Sequence, residues 1–254
     1  MKNKKRAWIT KPKNLSVFGF DEKIEFAAKA VKTTEDGEID ISDLIEWRKP
    51  SKATGNTFSI SFKNRESATV AIYLAGVWKA SVKLKIVCKA CDLKPALSDD
   101  EMLLARIIMA EGASCSVEER RTIGYVVVNR YRFFPNHFKA TLKDVIYLNG
   151  FDGIHNKLFK LLGSKHDIAE KLDYEQCRRY RETLLIAREI LGDGESALEQ
   201  LFVEDGKHAF FMNQAANHPP DGKNSPLIHS NTTSHWEHSF YGYAPNTNQA
   251  FLCL

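Results

Sequence analysis

No run of apolar residues in this 254-residue chain approaches the ~20 needed to cross a bilayer as a helix. The basic start, with Lys2, Lys4, Lys5, Arg6, Lys11 and Lys13, leads into Ala-Trp-Ile-Thr-Lys-Pro rather than into an apolar signal core. The expectation is synthesis in the cytoplasm without a signal peptide. A strong charge of one sign is missing too: a formal net charge of +4 is too mild to argue for nucleic acid as a partner. The basic start reads as a solvated tail, although modest positive charge also suits docking to an acidic polymer. The five cysteines (Cys88, Cys91, Cys115, Cys177, Cys253) are odd in number and scattered. That speaks against a disulfide framework and fits a reducing compartment. Cys88-Lys89-Ala90-Cys91 has no second CxxC partner and reads as incidental rather than as half a zinc site. Internal repeats and low-complexity tracts are absent.

What is present is enough apolar content, 43% of residues, to bury a core in one or two domains. The chain has two rhythms. Up to residue 92 it alternates apolar and polar residues in VKTTEDGEIDIS, TFSISF, ATVAIYLAG and SVKLKIV, with Asp36-Gly37, Gly55-Asn56 and Asn64-Arg65-Glu66 as turn material. This predicts a small all-β domain over 1–92, an Ig-like sandwich with Trp47 as a core tryptophan. Pro95 marks the boundary. From 95 to 254 the pattern is mainly helical, with helices expected near 99–111, 117–132, 142–148, 155–163 and 174–191. HAFF and HSFYGY then read as two strands around a long loop, Asn213 to Ser234. The fold class is therefore α+β.

The first of these helices carries the candidate chemistry. Ser98 followed by Glu101 is a capping box, and Gly112 is a stop. Leu104, Ile107 and Ile108 form an apolar stripe, and Glu111 falls on it, four residues after Ile107 and three after Ile108. Partial desolvation and the negative end of the helix dipole both disfavour the anion there and raise its pKa, as a general acid requires. The competing reading is a buried ion pair with Arg106, Arg120, Arg121 or Arg130.

LLARIIMAEG, a second capping box at Ser116 to Glu119, RRTIGYVVVNRY, the Phe134-Pro135-Asn136 turn and TLKDVIYLNGFDG together resemble the SleB-type family of cell-wall hydrolases. The resemblance covers about residues 97–243 and includes HAFFMN and HSFYGY as terminal aromatic strands. It implies a lysozyme-like fold, peptidoglycan as substrate, no cofactor, and a catalytic glutamate at Glu111 in the "AE" step. It also implies lytic transglycosylation or muramidase action with that single glutamate. Gly150 stands where relatives commonly have Gln, so any substrate contact of that amide is either absent or supplied by Asn149 or Asp152.

A two-carboxylate mechanism would need a second acid. Asp152 is the candidate, against ordinary Asp-Gly turn chemistry; Glu118 and Glu119 read as helix-start charges. Tyr125, Phe151, Phe210 and Tyr241 are candidates to stack on sugar rings, with His208 and Asn213 as further substrate contacts. The rival enzyme class is a zinc-dependent wall peptidase or amidase using His208, His218, His229, His235 and His238 with Glu237, although His235-Trp236-Glu237-His238 is no HExxH helix. A third class is a non-catalytic wall-binding protein. The leading expectation is a peptidoglycan-cleaving enzyme with no metal. It would act in the periplasm or wall after non-classical export, as an interbacterial effector with a secretion apparatus and an immunity protein as partners.

Overall fold

The computed structural model describes residues 5–48, 52–63, 67–133, 141–148, 151–192, 211–213, 227–229 and 237–241. The chain forms two compact units, one of residues 1–89 with 169–174 and the other of 90–168 with 175–254. The first is built from strands and the second mainly from helices, so the molecule is α+β.

In the first unit, β1 (Lys5–Lys11), β3 (Ile24–Thr34) and β4 (Gly37–Asp40) form one antiparallel sheet, with β7 (Thr57–Ile60) also paired to β3. The second sheet runs β2 (Val17–Gly19), β9 (Val77–Val87), β8 (Ala68–Leu74), β5 (Ile45–Arg48) and β6 (Ala53–Thr54), with β2 parallel to β9. Alternation dictates what is buried. Ile24, Phe26, Ala28 and Ala30 of β3 point inward, as do Val82, Leu84 and Ile86 of β9, and they meet in one core. Trp47 is fully buried there, as expected. Its indole stacks on Phe58 at 5.8 Å and its Nε1–H donates to the carbonyl of Gly55 at 2.8 Å.

Three expectations about this region are corrected. The basic start is not a solvated tail, because β1 pairs with β3 from Lys5↔Lys32 onward. Ala7 and Ile9 pack on the core and alternate with the exposed Arg6, Trp8 and Thr10. Residues 169–174 belong to this unit although the helical rhythm surrounds them: Glu170 pairs with Lys85 at 2.5 Å and the Tyr174 hydroxyl donates to Asp21 at 2.6 Å. Finally, Cys88 is a disulfide cysteine rather than a free thiol. Pairing is set by which Cβ atoms come within reach in the fold, which spacing along the chain does not encode. Cys88 is thereby removed as a partner of Cys91 in any metal pair.

In the second unit, α1 (Asp99–Glu111) is buried nearly all round through Leu104, Ala105, Ile107, Ile108, Met109 and Ala110, which makes it the central helix. Its capping box is formed: Ser98 Oγ accepts the Glu101 N–H at 3.1 Å and Glu101 accepts the Ser98 N–H at 2.5 Å. The further helices are α2 (Val117–Phe133), α3 (Leu142–Leu148), α4 (Lys157–Leu161), α5 (Lys165–Lys171, whose last residues belong to the first unit) and α6 (Tyr174–Gly192). α2 comes close to both α1 and α6 at Gly124. A Cβ there would lie 2.6 Å from Ile190 Cδ1 and 2.9 Å from Ile108 Cδ1. Arg120 ties α2 to α6 by donating to the Arg179 carbonyl, Thr183 Oγ1 and Glu182.

The helix expected at 155–163 is divided. A 3-10 turn occupies Asp152–His155, and α4 starts after Asn156, whose ψ of 142° breaks the helix while its side chain caps the Leu158 N–H. α5 was not expected from the sequence. β10 (Phe211–Asn213), β11 (Leu227–His229) and β12 (Ser239–Tyr241) make a three-stranded antiparallel sheet in the order β10-β12-β11. A strand therefore lies within the segment read as a long loop.

Candidate active site

Glu111 ends α1 and is half-buried. The 3-10 turn Asp152–His155 lies against it. The backbone N–H of Gly153 donates to Glu111 Oε1 at 2.6 Å, and Asn156 Nδ2 donates to the Ala110 carbonyl at 3.3 Å. A Cβ at 153 would sit 2.7 Å from that same Oε1, so any larger residue there would have to displace the carboxyl.

Burial pushes the Glu111 carboxyl above the usual glutamate range, and the charge of Asp152 acts in the same direction. The Gly153 N–H, His238 and Arg130 act the other way and do not win. The direction is the one a general acid requires, with Arg130, a candidate ion-pair partner, acting against it. Arg106 instead donates to the Phe159 carbonyl, Arg120 to α6 and Arg121 to Glu189. Arg130 is the nearby cation. It is buried, its guanidinium lies 4.6 Å from the centre of the Phe151 ring, and burial brings its pKa down to about 10, so it stays charged at neutral pH.

A second group of side chains converges in the same unit. Glu119 is 1% exposed, and its Oε1 accepts the backbone N–H groups of Glu237 and His238 at 2.8 and 2.9 Å and meets His238 Nδ1 at 2.8 Å. Cys115 Sγ lies 3.8 Å from the same Nδ1. Burial, and then the charges of Glu119 and Glu237, push the Cys115 thiol well up, so it stays protonated. Glu119 is thus not a solvated helix-start charge. Its N–H does bond Ser116 Oγ at 3.1 Å, as a capping box requires, but its carboxylate turns inward to residues 237 and 238. Sequence carried a signal for this: Glu119, Ile123, Val126 and Arg130 fall at i, i+4, i+7 and i+11, which puts Glu119 and Arg130 on one buried stripe of α2.

Among the other candidates, Asp152 opens the turn beside Glu111 with its side chain exposed. Tyr125 and Phe151 are 5% and 3% exposed, so neither offers a flat face to a sugar. The stacking role expected for them is corrected: Tyr125 belongs to the core and Phe151 supports Arg130. Asn213 lies in β10 opposite Ser239, and Tyr241 in β12 opposite Phe211 and Leu227; their side chains lie outside the described residues. His208, Phe210, His218 and His235 also lie outside them, as do Asn149 and Gly150. Of the expected histidine cluster, His229 is placed by backbone in β11, and His238 is the member whose side chain is described. No helix among the described residues is long and apolar enough to cross a membrane. Comparison with family models, with curated proteins and with solved structures finds no match for this chain.

Proposed function

We propose that this protein cleaves the glycan strands of peptidoglycan with Glu111 as its single catalytic carboxyl. The observation that carries the reading is a half-buried glutamate at a helix end whose carboxyl is held above its usual pKa while one oxygen accepts a fixed backbone N–H. With Oε1 occupied by Gly153, the proton resides on Oε2. Protonated, Glu111 donates to the glycosidic oxygen, and the bond to C1 of the muramic sugar breaks with oxocarbenium character. Ionised, the same carboxylate withdraws the proton of the C6 hydroxyl, whose oxygen bonds to C1 and closes a 1,6-anhydro ring. The proton gained restores the acid.

The likeness of LLARIIMAEG and the segments after it to the SleB-type family supports the same chemistry, and with it a lysozyme-like arrangement of the helical unit. The strand unit, read as an Ig-like sandwich, serves delivery or docking. The protein acts on the wall as an antibacterial effector after export by a dedicated apparatus, and its producer needs an immunity protein.

Mass spectrometry of the products released by the full chain from purified peptidoglycan tests the proposal. Anhydromuramic ends, lost in Glu111→Gln, support it. Reducing muramic ends mean hydrolysis, with Asp152, whose charge Glu111 feels, as the second carboxylate. No soluble glycan from folded protein removes the proposal.

A further inference from the structure

Cys115, Glu119 and His238 take no part in the proton transfers above, yet three separate segments bring them together in the interior. Cys115 comes from the turn after α1, Glu119 from the first turn of α2, and His238 from the residue before β12. They are 6%, 1% and 3% exposed, and one donor atom from each lies within 4.8 Å of the others. A nucleophile relay would set the thiol and the carboxylate on opposite nitrogens of the imidazole. Here both face the same one: Sγ at 3.8 Å and Oε1 at 2.8 Å from Nδ1. The arrangement is convergent rather than linear, which is what donors around a common ion require.

The chemistry of the set selects the ion. Thiolate, imidazole and carboxylate together suit a borderline-soft divalent metal, and magnesium or calcium would not take sulfur. Around tetrahedral zinc, with bonds of ~2.3 Å to sulfur and ~2.0 Å to nitrogen or oxygen, donor atoms stand roughly 3.3 to 3.7 Å apart. The Sγ to Nδ1 separation is already close to that range. The Nδ1 to Oε1 pair is held by a proton that the ion would replace, so it must open by about half an ångström, a rotamer adjustment. The backbone N–H groups of Glu237 and His238 hold the carboxylate in place, as outer-shell donors do at metal sites.

From this geometry we infer that Cys115, Glu119 and His238 form a three-ligand zinc site that fastens the start of β12 to α2. Binding releases the thiol proton to solvent, and the Nδ1 proton of the neutral imidazole moves to Nε2 as Nδ1 takes the metal, so one Zn²⁺ is taken up for one H⁺ lost. The fourth position remains for solvent.

Cobalt(II) titration of the chelator-treated full chain tests the inference. The expected result is one equivalent bound, a thiolate-to-cobalt charge-transfer band in the near ultraviolet, visible bands of four-coordinate intensity, and displacement of all of them by zinc. Cys115→Ser, which keeps the volume of the side chain and is verified as folded by circular dichroism, should lose the charge-transfer band. Cys91→Ala should keep it. Glu119→Gln should keep the band with affinity weakened at least tenfold, and zinc should raise the Tm of the parent protein but not of Cys115→Ser. Absence of the band in the parent, its survival in folded Cys115→Ser, or its loss in Cys91→Ala would overturn the site. Glu111→Gln should retain the whole spectrum, so failure of the glycan reading and failure of the metal reading are separately visible.

Discussion

The backbone N–H of Gly153 reaches Oε1 of Glu111 at 2.6 Å, and the space a side chain at 153 would fill is taken by that carboxyl group. A turn from one part of the helical unit thus fixes the acid at the end of another.

Loss of the acid should be specific. Glu111→Gln is expected to lower the rate of peptidoglycan cleavage by about 10²-fold or more, the usual scale for a general acid, with circular dichroism unchanged. Near-normal turnover by the folded variant would remove Glu111 from the mechanism.

The same substitution should make the protein more stable at neutral pH. Burial raises the pKa of Glu111 in the folded state, so folding favours the protonated form. The associated stability is complete below the unfolded pKa and is lost as pH rises through the folded one. Glutamine mimics the protonated carboxyl and escapes that loss. Thermal unfolding of the two proteins should give a higher Tm for Glu111→Gln at pH 7 and equal values at a pH below the ordinary glutamate pKa. A lower Tm at pH 7 would mean that the carboxylate is held by a structural ion pair after all.

Gly153→Ala should act through Glu111. The added Cβ would press on Oε1 and displace the N–H that favours the anion, so the Glu111 pKa rises further. The rate should fall mainly in kcat, and the alkaline limb of the pH profile, where the acid loses its proton, should move to higher pH. A KM change with an unmoved limb would indicate a substrate contact instead.

Arg120→Met tests what holds the helices together. The guanidinium is almost fully buried and donates to the Arg179 carbonyl, Thr183 and Glu182. Removing it leaves those acceptors without their donor, at a cost of about 3 kcal/mol of unfolding free energy, near the lower end for a broken buried pair because Glu182 is partly solvated. Denaturant titration should record it, and a change below about 0.5 kcal/mol would be that of an ordinary surface site.

Much was legible in the sequence because it is local. The capping box at Ser98 and Glu101, the bounds of α1, the alternation in β3 and β9 and the burial of Trp47 follow from periods of 3.6 and 2 and from short-range hydrogen bonding. So did the anomaly of Glu111, a carboxyl on an apolar stripe. The stripe rule applied to α2 would have found Glu119 and Arg130 as well, had the capping-box reading of Glu119 not been preferred.

What the tertiary structure decided is which distant residues meet. The sequence placed Glu111 at a helix end; only the fold brought Gly153 to its carboxyl, set Arg130 over Phe151 and carried His238 to Glu119 and Cys115, more than a hundred residues away along the chain. The same holds for β1, read as a tail until β3 supplied its hydrogen-bonding partner, and for the burial of Tyr125 and Phe151, which removed them as surfaces for a sugar. Periodicity specifies the face of an element, whereas its neighbours depend on long-range packing that one chain's local pattern does not contain.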